Sequence, residues 1–439
     1  MKMIRYCLLL SALVAVNICY SQVLTLEEAI STALKNNYNI LLARIDSSSA
    51  ALDNSYANAA FIPQINANAG RIWNVNAQKV EFADGRKRDT SGLKNNNLNA
   101  SVNLNWTLFD GLRMFATRDR LAELVRLGEF TVKNEVVNTV ASVITTYYNV
   151  VQEKQQLKAI EEQMNINAER VKLADRKLSV GLGTKQELLQ AQTDLNAQKA
   201  AQLGQRTAIE QLKQQLNQVM GIDIARAYDV ADTIPINSTI QLEDVRSAAE
   251  SNNPQLLIAR QNIGISNIVL RERRAELWPT LNFTSAYNFT RLNNNAVVNV
   301  QAQPLFSLNR GLNYGFTIAV PILNNFNTRR LIKQAQLDIR FQETQLQNQR
   351  SLLDLGIYNA FKTYQFQKQA LDLEETNIQL AKENVFIAFE RYRLGVSTYL
   401  ELRDAQQSLE TAYNRLIDAR YNTKVAETEL LRLRGDIVR

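Results

Sequence analysis

The 439-residue chain contains no histidine. That removes the side chain most used as a general base near neutral pH and the commonest ligand of transition metals. Cysteine occurs only as Cys7 and Cys19, both within the first 21 residues. A chain cut after Ser21 therefore has no thiol nucleophile, no thiolate ligand and no disulfide framework. Carboxylate-only chemistry remains, but Glu27-Glu28, Glu161-Glu162 and Glu374-Glu375 are sequence neighbours on predicted helices, where adjacent side chains point apart. Solvated faces account for them, and no enzyme activity, cofactor or metal site is expected. Proline is scarce as well, six in all, which leaves long stretches free to stay helical.

The first residues read as a secretory signal over 1–21. Lys2 and Arg5 precede the apolar run 7–18, and Ser21 is a small residue at the expected cut. The run is shorter than the roughly 20 residues of a spanning helix, and Ile18 stands before Cys19 where a lipid-attachment signal would have Gly, Ala or Ser. Removing Lys2 and Arg5 lowers the formal charge from +7 to +5. The signs are interspersed, as in Arg118-Asp119-Arg120, which is a mixed surface and not the basic stripe that nucleic acid requires.

What is present is a duplication. Residues 24–221 reappear, diverged but in order, as 240–435: Asn36-Asn37 matches Asn252-Asn253, Pro63 matches Pro279, Gly181-x-x-Thr184 matches Gly395-x-x-Thr398, and Gly221 matches Gly435. The period is far longer than the 20–50 residues of a solenoid repeat. Two structural repeats are expected, at 22–230 and 231–439.

Each repeat carries two kinds of periodicity. Leu98, Ala100, Val102, Leu104, Trp106 and Leu108 alternate with Asn, Ser and Thr over 97–109, and the pattern returns over 312–320. Strands are also expected at about 64–75 and 280–290, with long loops at about 76–96 and 291–311. Such lengths fit tilted strands of a membrane β-barrel. An amphipathic sheet of a soluble protein has the same alternation. Four strands cannot close a barrel alone, and an open edge in lipid leaves backbone groups unpaired; several chains would have to share one barrel.

The rest is helical. The stretches 112–180 and 329–394 lack proline and would each give about 100 Å of helix. In the second return helix Leu402, Leu409, Leu416 and Leu430 interleave with Ala405, Ala412, Ala419 and Ala426, a coiled-coil seam. Leu188, Leu195, Ile209 and Leu216 keep the same register in the first. The glutamines Gln152, Gln155, Gln156, Gln190, Gln192, Gln198, Gln202 and Gln205 are expected on a water-facing surface.

In this order, twice over, the paired Leu-x-Leu-Glu-type openings at Leu24 and Ile240, Pro63 and Pro279, and the junction Trp106-Thr107-Leu108-Phe109-Asp110-Gly111 resemble the TolC-like outer-membrane efflux proteins. The second junction has Asn324-Asn325 in place of Asp-Gly. The resemblance implies a mixed, mainly α membrane protein: long helical hairpins forming an α-barrel, and four strands per chain completing a 12-stranded β-barrel in a homotrimer. It implies an exit duct in the outer membrane with a periplasmic helical extension. Its partners would be a periplasmic adaptor, an inner-membrane transporter and outer-membrane lipid. Type I protein secretion is an alternative use, and a stand-alone porin or a structural coiled coil are further ones.

The same resemblance implies the site residues. Adaptor contact falls at the hairpin tips, on Val180, Gly181, Gly183 and Thr184 and on Leu394, Gly395 and Thr398. A periplasmic gate with cation selectivity falls on Glu401 and Asp404, with Glu187 as first-repeat counterpart and Tyr392 as gate tyrosine. Ser397 stands where the family pattern has arginine.

Overall fold

The computed structural model describes residues 23–236, 239–298 and 303–437; the expected signal segment lies outside them. The chain divides into two compact units, and neither is a sequence repeat. One comprises the described residues up to Ser47, Gly128–Ala259 and those from Leu346 on; the other is Ser48–Leu127 with Arg260–Gln345. Both repeats contribute to both units.

The second unit is built on one antiparallel sheet. Its strands are β2 (Gln64–Glu81), β3 (Lys87–Phe109), β5 (Thr280–Asn294) and β6 (Phe306–Ala319), in the order β2-β3-β5-β6. The register sets Ala67 beside Val102, Val102 beside Tyr287 and Tyr287 beside Leu312. All four therefore share one face with Ile65, Leu104, Phe283 and Phe316. Asn68, Ser101, Asn288 and Gly311 line the other. One face is thus apolar and the other carries amides and hydroxyls, the division between lipid and lumen in a membrane barrel.

The strands outrun the alternation. Pairing of β2 with β3 continues to Glu81 and Lys87, so the expected loop at 76–96 shrinks to a turn at 82–86 with Gly85 at φ +82°. Asn74 already bonds Asn95 at 2.8 Å, and past Val75 the cross-strand contacts are charged: Lys79 to Asp89 at 3.7 Å and Lys87 to Glu81 at 3.0 Å. Outside lipid a strand needs backbone partners and compatible side-chain pairs, not an apolar face. Likewise β6 begins at Phe306, before the expected 312.

The junctions to the long helices are sharp. Gly111 lies at φ +74°, and a Cβ there would come to 2.3 Å from the Ala275 carbonyl oxygen. Asp110 then caps the next helix by accepting from the Met114 N–H at 3.2 Å. In the second repeat Asn325 takes the left-handed conformation, at φ 52°, which asparagine tolerates.

The helices are α1 (Leu26–Asn36), α2 (Tyr38–Ser55), α3 (Arg113–Ser179), α4 (Lys185–Met220), α5 (Leu242–Asn252), α6 (Pro254–Ala275), α7 (Asn327–Arg393) and α8 (Tyr399–Arg434). A 3-10 turn at Ala57–Phe61 follows α2. The short strands β1 (Val23–Leu24) and β4 (Asp229–Val230) pair in parallel. Among the described residues no helix is long and apolar enough to cross a membrane.

In the first unit each repeat is closed on itself by a matched asparagine clamp. The Asn37 side chain accepts from the Asn39 and Ile40 N–H groups, capping α2, and donates to the Val219 carbonyl at 2.8 Å. Asn253 caps α6 through Gln255 and Leu256 and donates to Leu433 at 2.9 Å. Each clamp thereby satisfies both a helix start and the end of a return helix.

The seam Leu402, Ala405, Leu409, Ala412, Leu416, Ala419, Ala426 and Leu430 is buried along α8. On α4 burial is patchier: Ala191, Ile209 and Leu216 are buried, while Leu188 and Leu195 are half-buried. The glutamines depart from the expected water-facing role. Gln152 donates to Asp418, Gln156 to Asn414, Gln202 to Glu161 and Gln205 to Glu153. They are rungs between helices, because a long amide reaches across a helix pair and finds a carboxylate or carbonyl there. Only Gln192, of those eight, is fully exposed without a hydrogen-bond partner among the described residues.

Candidate functional site

Each long helix ends in the same turn. In the first, the Gly181 N–H donates to the Leu178 carbonyl and Leu182 to Lys177; in the second, Gly395 donates to Tyr392 and Val396 to Arg391. These are the two bonds of a Schellman cap, and both glycines occupy the left-handed region, at φ +74° and +75°. Thr184 and Thr398 then cap α4 and α8 by accepting from the Glu187 and Glu401 N–H groups at 3.2 and 3.3 Å. The turns leave apolar side chains outside: Leu182 is 80% and Leu394 71% exposed, and Val180 and Val396 project similarly. Gly183 has a structural duty of its own, since a Cβ would meet that of Lys177 at 2.9 Å.

The four residues assigned to a gate do not form one cluster. Glu401 lies 3.8 Å from the Arg391 guanidinium. Asp404 stands one turn further along α8, exposed, and its carboxylate has no hydrogen-bond or ion-pair partner among the described residues. Glu187 sits on α4 near Tyr392, whose ring is buried and carries the Lys177 ammonium 3.7 Å from its centroid. Burial, followed by the Glu187 charge, pushes the Tyr392 hydroxyl above its ordinary pKa, and its oxygen has no hydrogen-bond partner among the described residues.

The sequence reading missed the strongest polar cluster. Arg170 on α3 is 1% exposed. It donates to Asp194 on α4 at 2.5 Å and to Gln406 on α8 at 2.7 Å, while its guanidinium lies 5.1 Å from the Tyr399 ring. The Tyr399 hydroxyl donates to the same Asp194 carboxylate at 2.8 Å, and Gln190 to its other oxygen at 2.9 Å. Burial works against the Asp194 charge, but Gln190, Tyr399 and Arg170 together hold its carboxyl below the usual aspartate range. Burial and the bond to Asp194 push Tyr399 up to about 12. One cluster thus ties the first hairpin to the start of the last helix. A signal existed in the duplication, for Asp194 and Arg170 face Ser408 and Asn384 in the second copy.

The arrangement has an apolar sheet face for lipid, an amide-lined face for water, capped open tips and unpaired acid near one of them. Among the described residues no group of His, Cys, Asp or Glu side chains is placed to hold a metal ion. Comparison with known proteins agrees with a channel. The family model described as "Outer membrane efflux protein" matches residues 29–222 and again 245–436. The outer membrane efflux protein BepC of Brucella suis biovar 1 is 22% identical, over 94% of this chain and 85% of its own. The alkaline protease secretion protein AprF of Pseudomonas aeruginosa is 20% identical, over 92% and 84%. The crystal structure of the CmeC outer membrane channel of Campylobacter jejuni superposes with a TM-score of 0.77 at 17% identity, covering 93% of this chain and 85% of that one. With the family matched over both repeats, this chain belongs to the outer membrane efflux proteins and acts as an outer-membrane exit channel of an efflux or secretion system.

Proposed function

We propose that three copies of this chain form a passive exit duct of a tripartite efflux system, docked at its hairpin tips onto a periplasmic adaptor and fed by an inner-membrane transporter. The observation that carries this reading is the sheet. Among the described residues its edge strands β2 and β6 have no outer partner, and they run antiparallel: β2 starts, and β6 ends, at the end where the helices attach. Joining β6 of one copy to β2 of the next continues the antiparallel pattern, and three copies close twelve strands without an edge in lipid. The exposed Val180, Leu182, Leu394 and Val396 then form the adaptor contact, held by Gly181, Gly395, Thr184 and Thr398. Glu401 and Asp404 repeat three times around the axis as an acidic constriction that favours cations. The chain performs no chemical step, and the pump supplies the energy.

The test uses the purified assembly in planar bilayers. Asp404→Asn with Glu401→Gln is expected to lower cation over anion permeability several-fold and to weaken block by multivalent cations; an unchanged reversal potential rejects the ring. Leu182→Asp with Val396→Asp is expected to abolish co-purification with the adaptor while the heat-modifiable trimer survives. Retained adaptor binding rejects the tip contact. AprF carries the name of a protein secretion component, and this reading places the choice of cargo in the pump, not in the duct.

A further inference from the structure

Arg71, Arg291 and Arg310 stand on the apolar face of the sheet, towards the end away from the helices. Arg71 and Arg291 flank Leu98 from either side, and Arg310 pairs with Phe289. From Leu281 to Arg291 the strand climbs ten residues, which at ~3.3 Å each and a tilt of ~40° gives about 25 Å, the height of the apolar band of an outer-membrane barrel. The guanidinium groups therefore sit at the outer rim of the lipid-facing band, where headgroups begin.

The three are built alike. Each guanidinium lies over an aromatic ring: Arg71 over Trp73 at 4.9 Å, Arg291 over Phe306 at 5.6 Å and Arg310 over Phe289 at 5.5 Å. Stacking holds the group against the sheet without using its N–H donors. Only Arg71 spends one among the described residues, from Nε to Asn96 at 2.8 Å. Among the described residues no carboxylate lies within ion-pair distance of any of the three. Lys79, Arg86 and Lys87 of the hairpin beyond them differ, because they are paired with Asp89, Asp84 and Glu81 respectively. Three cations of the extension are thus neutralised by carboxylates and Arg88 donates to the Val298 carbonyl at 2.8 Å, while the three at the lipid rim face no carboxylate among the described residues.

We propose that this arginine belt binds the phosphate groups of outer-leaflet lipid headgroups. A guanidinium presents a planar fork of donors that matches phosphate oxygens in pairs, and basic clusters bordering an apolar band recognise anionic headgroups. The aromatic rings and the apolar face below would take the acyl chains of the same lipid. The belt lies within one chain's sheet and shares no residue with the acidic ring or the adaptor contact.

The full-length protein in neutral detergent would be given phosphatidic acid, a neutral diacyl glycolipid with the same chains, or inorganic phosphate. The thermal midpoint and the lipid retained after washing are read. Phosphatidic acid is expected to raise the midpoint by several degrees and to be retained, the other two to do neither. Arg71→Gln/Arg291→Gln/Arg310→Gln is expected to cut retention roughly fivefold, while Lys79→Gln/Lys87→Gln retains as the wild type does. Should the triple variant not assemble, Arg291→Gln and Arg310→Gln alone carry the test, each with a partial loss. Equal retention by the belt variants, equal retention of the neutral glycolipid, an equal shift from inorganic phosphate, or an equal loss in the hairpin variant overturns the proposal.

Discussion

The two hairpin tips are the same turn set in different surroundings. Gly181 and Gly395 make matching cap bonds at nearly the same φ, and Thr184 and Thr398 cap the following helices alike. Divergence begins within a turn: Gly183 is replaced by Ser397, Gln190 by Asp404, Asp194 by Ser408 and Arg170 by Asn384. The first tip holds its acid inside, paired with a buried arginine. The second leaves its acid outside, unpaired. What the copies share sets where a helix stops, and what they do not share decides which copy fastens the hairpins together and which leaves an acid exposed.

The largest expected effect breaks this difference at Asp194. Asp194→Ala leaves Arg170 buried without its carboxylate, a loss on the order of 3–5 kcal/mol to the hairpin contact, whereas Ser408→Ala at the matching position of the second copy should stay within about 0.5 kcal/mol. Limited proteolysis of the helical hairpins against urea reads both, and equal midpoints would mean that the cluster holds nothing. Acid gives a second reading. Because the folded-state pKa of Asp194 is depressed, its contribution is present above the ordinary aspartate pKa and is lost as pH falls through the lower, folded value. Asp194→Asn should therefore flatten the acid limb of the stability profile.

Legibility followed the range of the interactions. The α8 seam could be read because Leu402 to Leu430 repeat within one helix, and the tip turns because glycine and threonine fall three apart. Helix-to-helix partners could not. Arg170 meets Gln406 across 236 residues, and which glutamine faces which carboxylate depends on the register of two helices, not on either pattern alone. The strand ends escaped for another reason: past Val75 the apolar signal stops while backbone pairing continues on charged partners such as Lys87 and Glu81. Even in lipid the alternation was interrupted by Arg71, Arg291 and Arg310, whose common level emerges only from the register of four strands.

A smaller effect sharpens what the copies share. Gly221 and Gly435 end α4 and α8 in the left-handed region, at φ +67° and +84°, and each lies under the asparagine pair of its own repeat. A Cβ at Gly221 would approach the Asn36 carbonyl oxygen at 2.3 Å, and one at Gly435 the Asn252 oxygen at 2.7 Å. Backbone carbonyls held in a helix end cannot yield, so Gly221→Ala adds a steric clash to conformational strain, about 3 kcal/mol together. Gly435→Ala should cost somewhat less. Gly181→Ala has the same φ problem with nothing within 4 Å of the new Cβ, which leaves strain alone, about 1–2 kcal/mol. Urea midpoints of the three variants should fall in that order. If Gly181→Ala proved as costly as Gly221→Ala, the left-handed backbone alone would explain both positions, and the Asn36 contact would have no part in holding the end of α4.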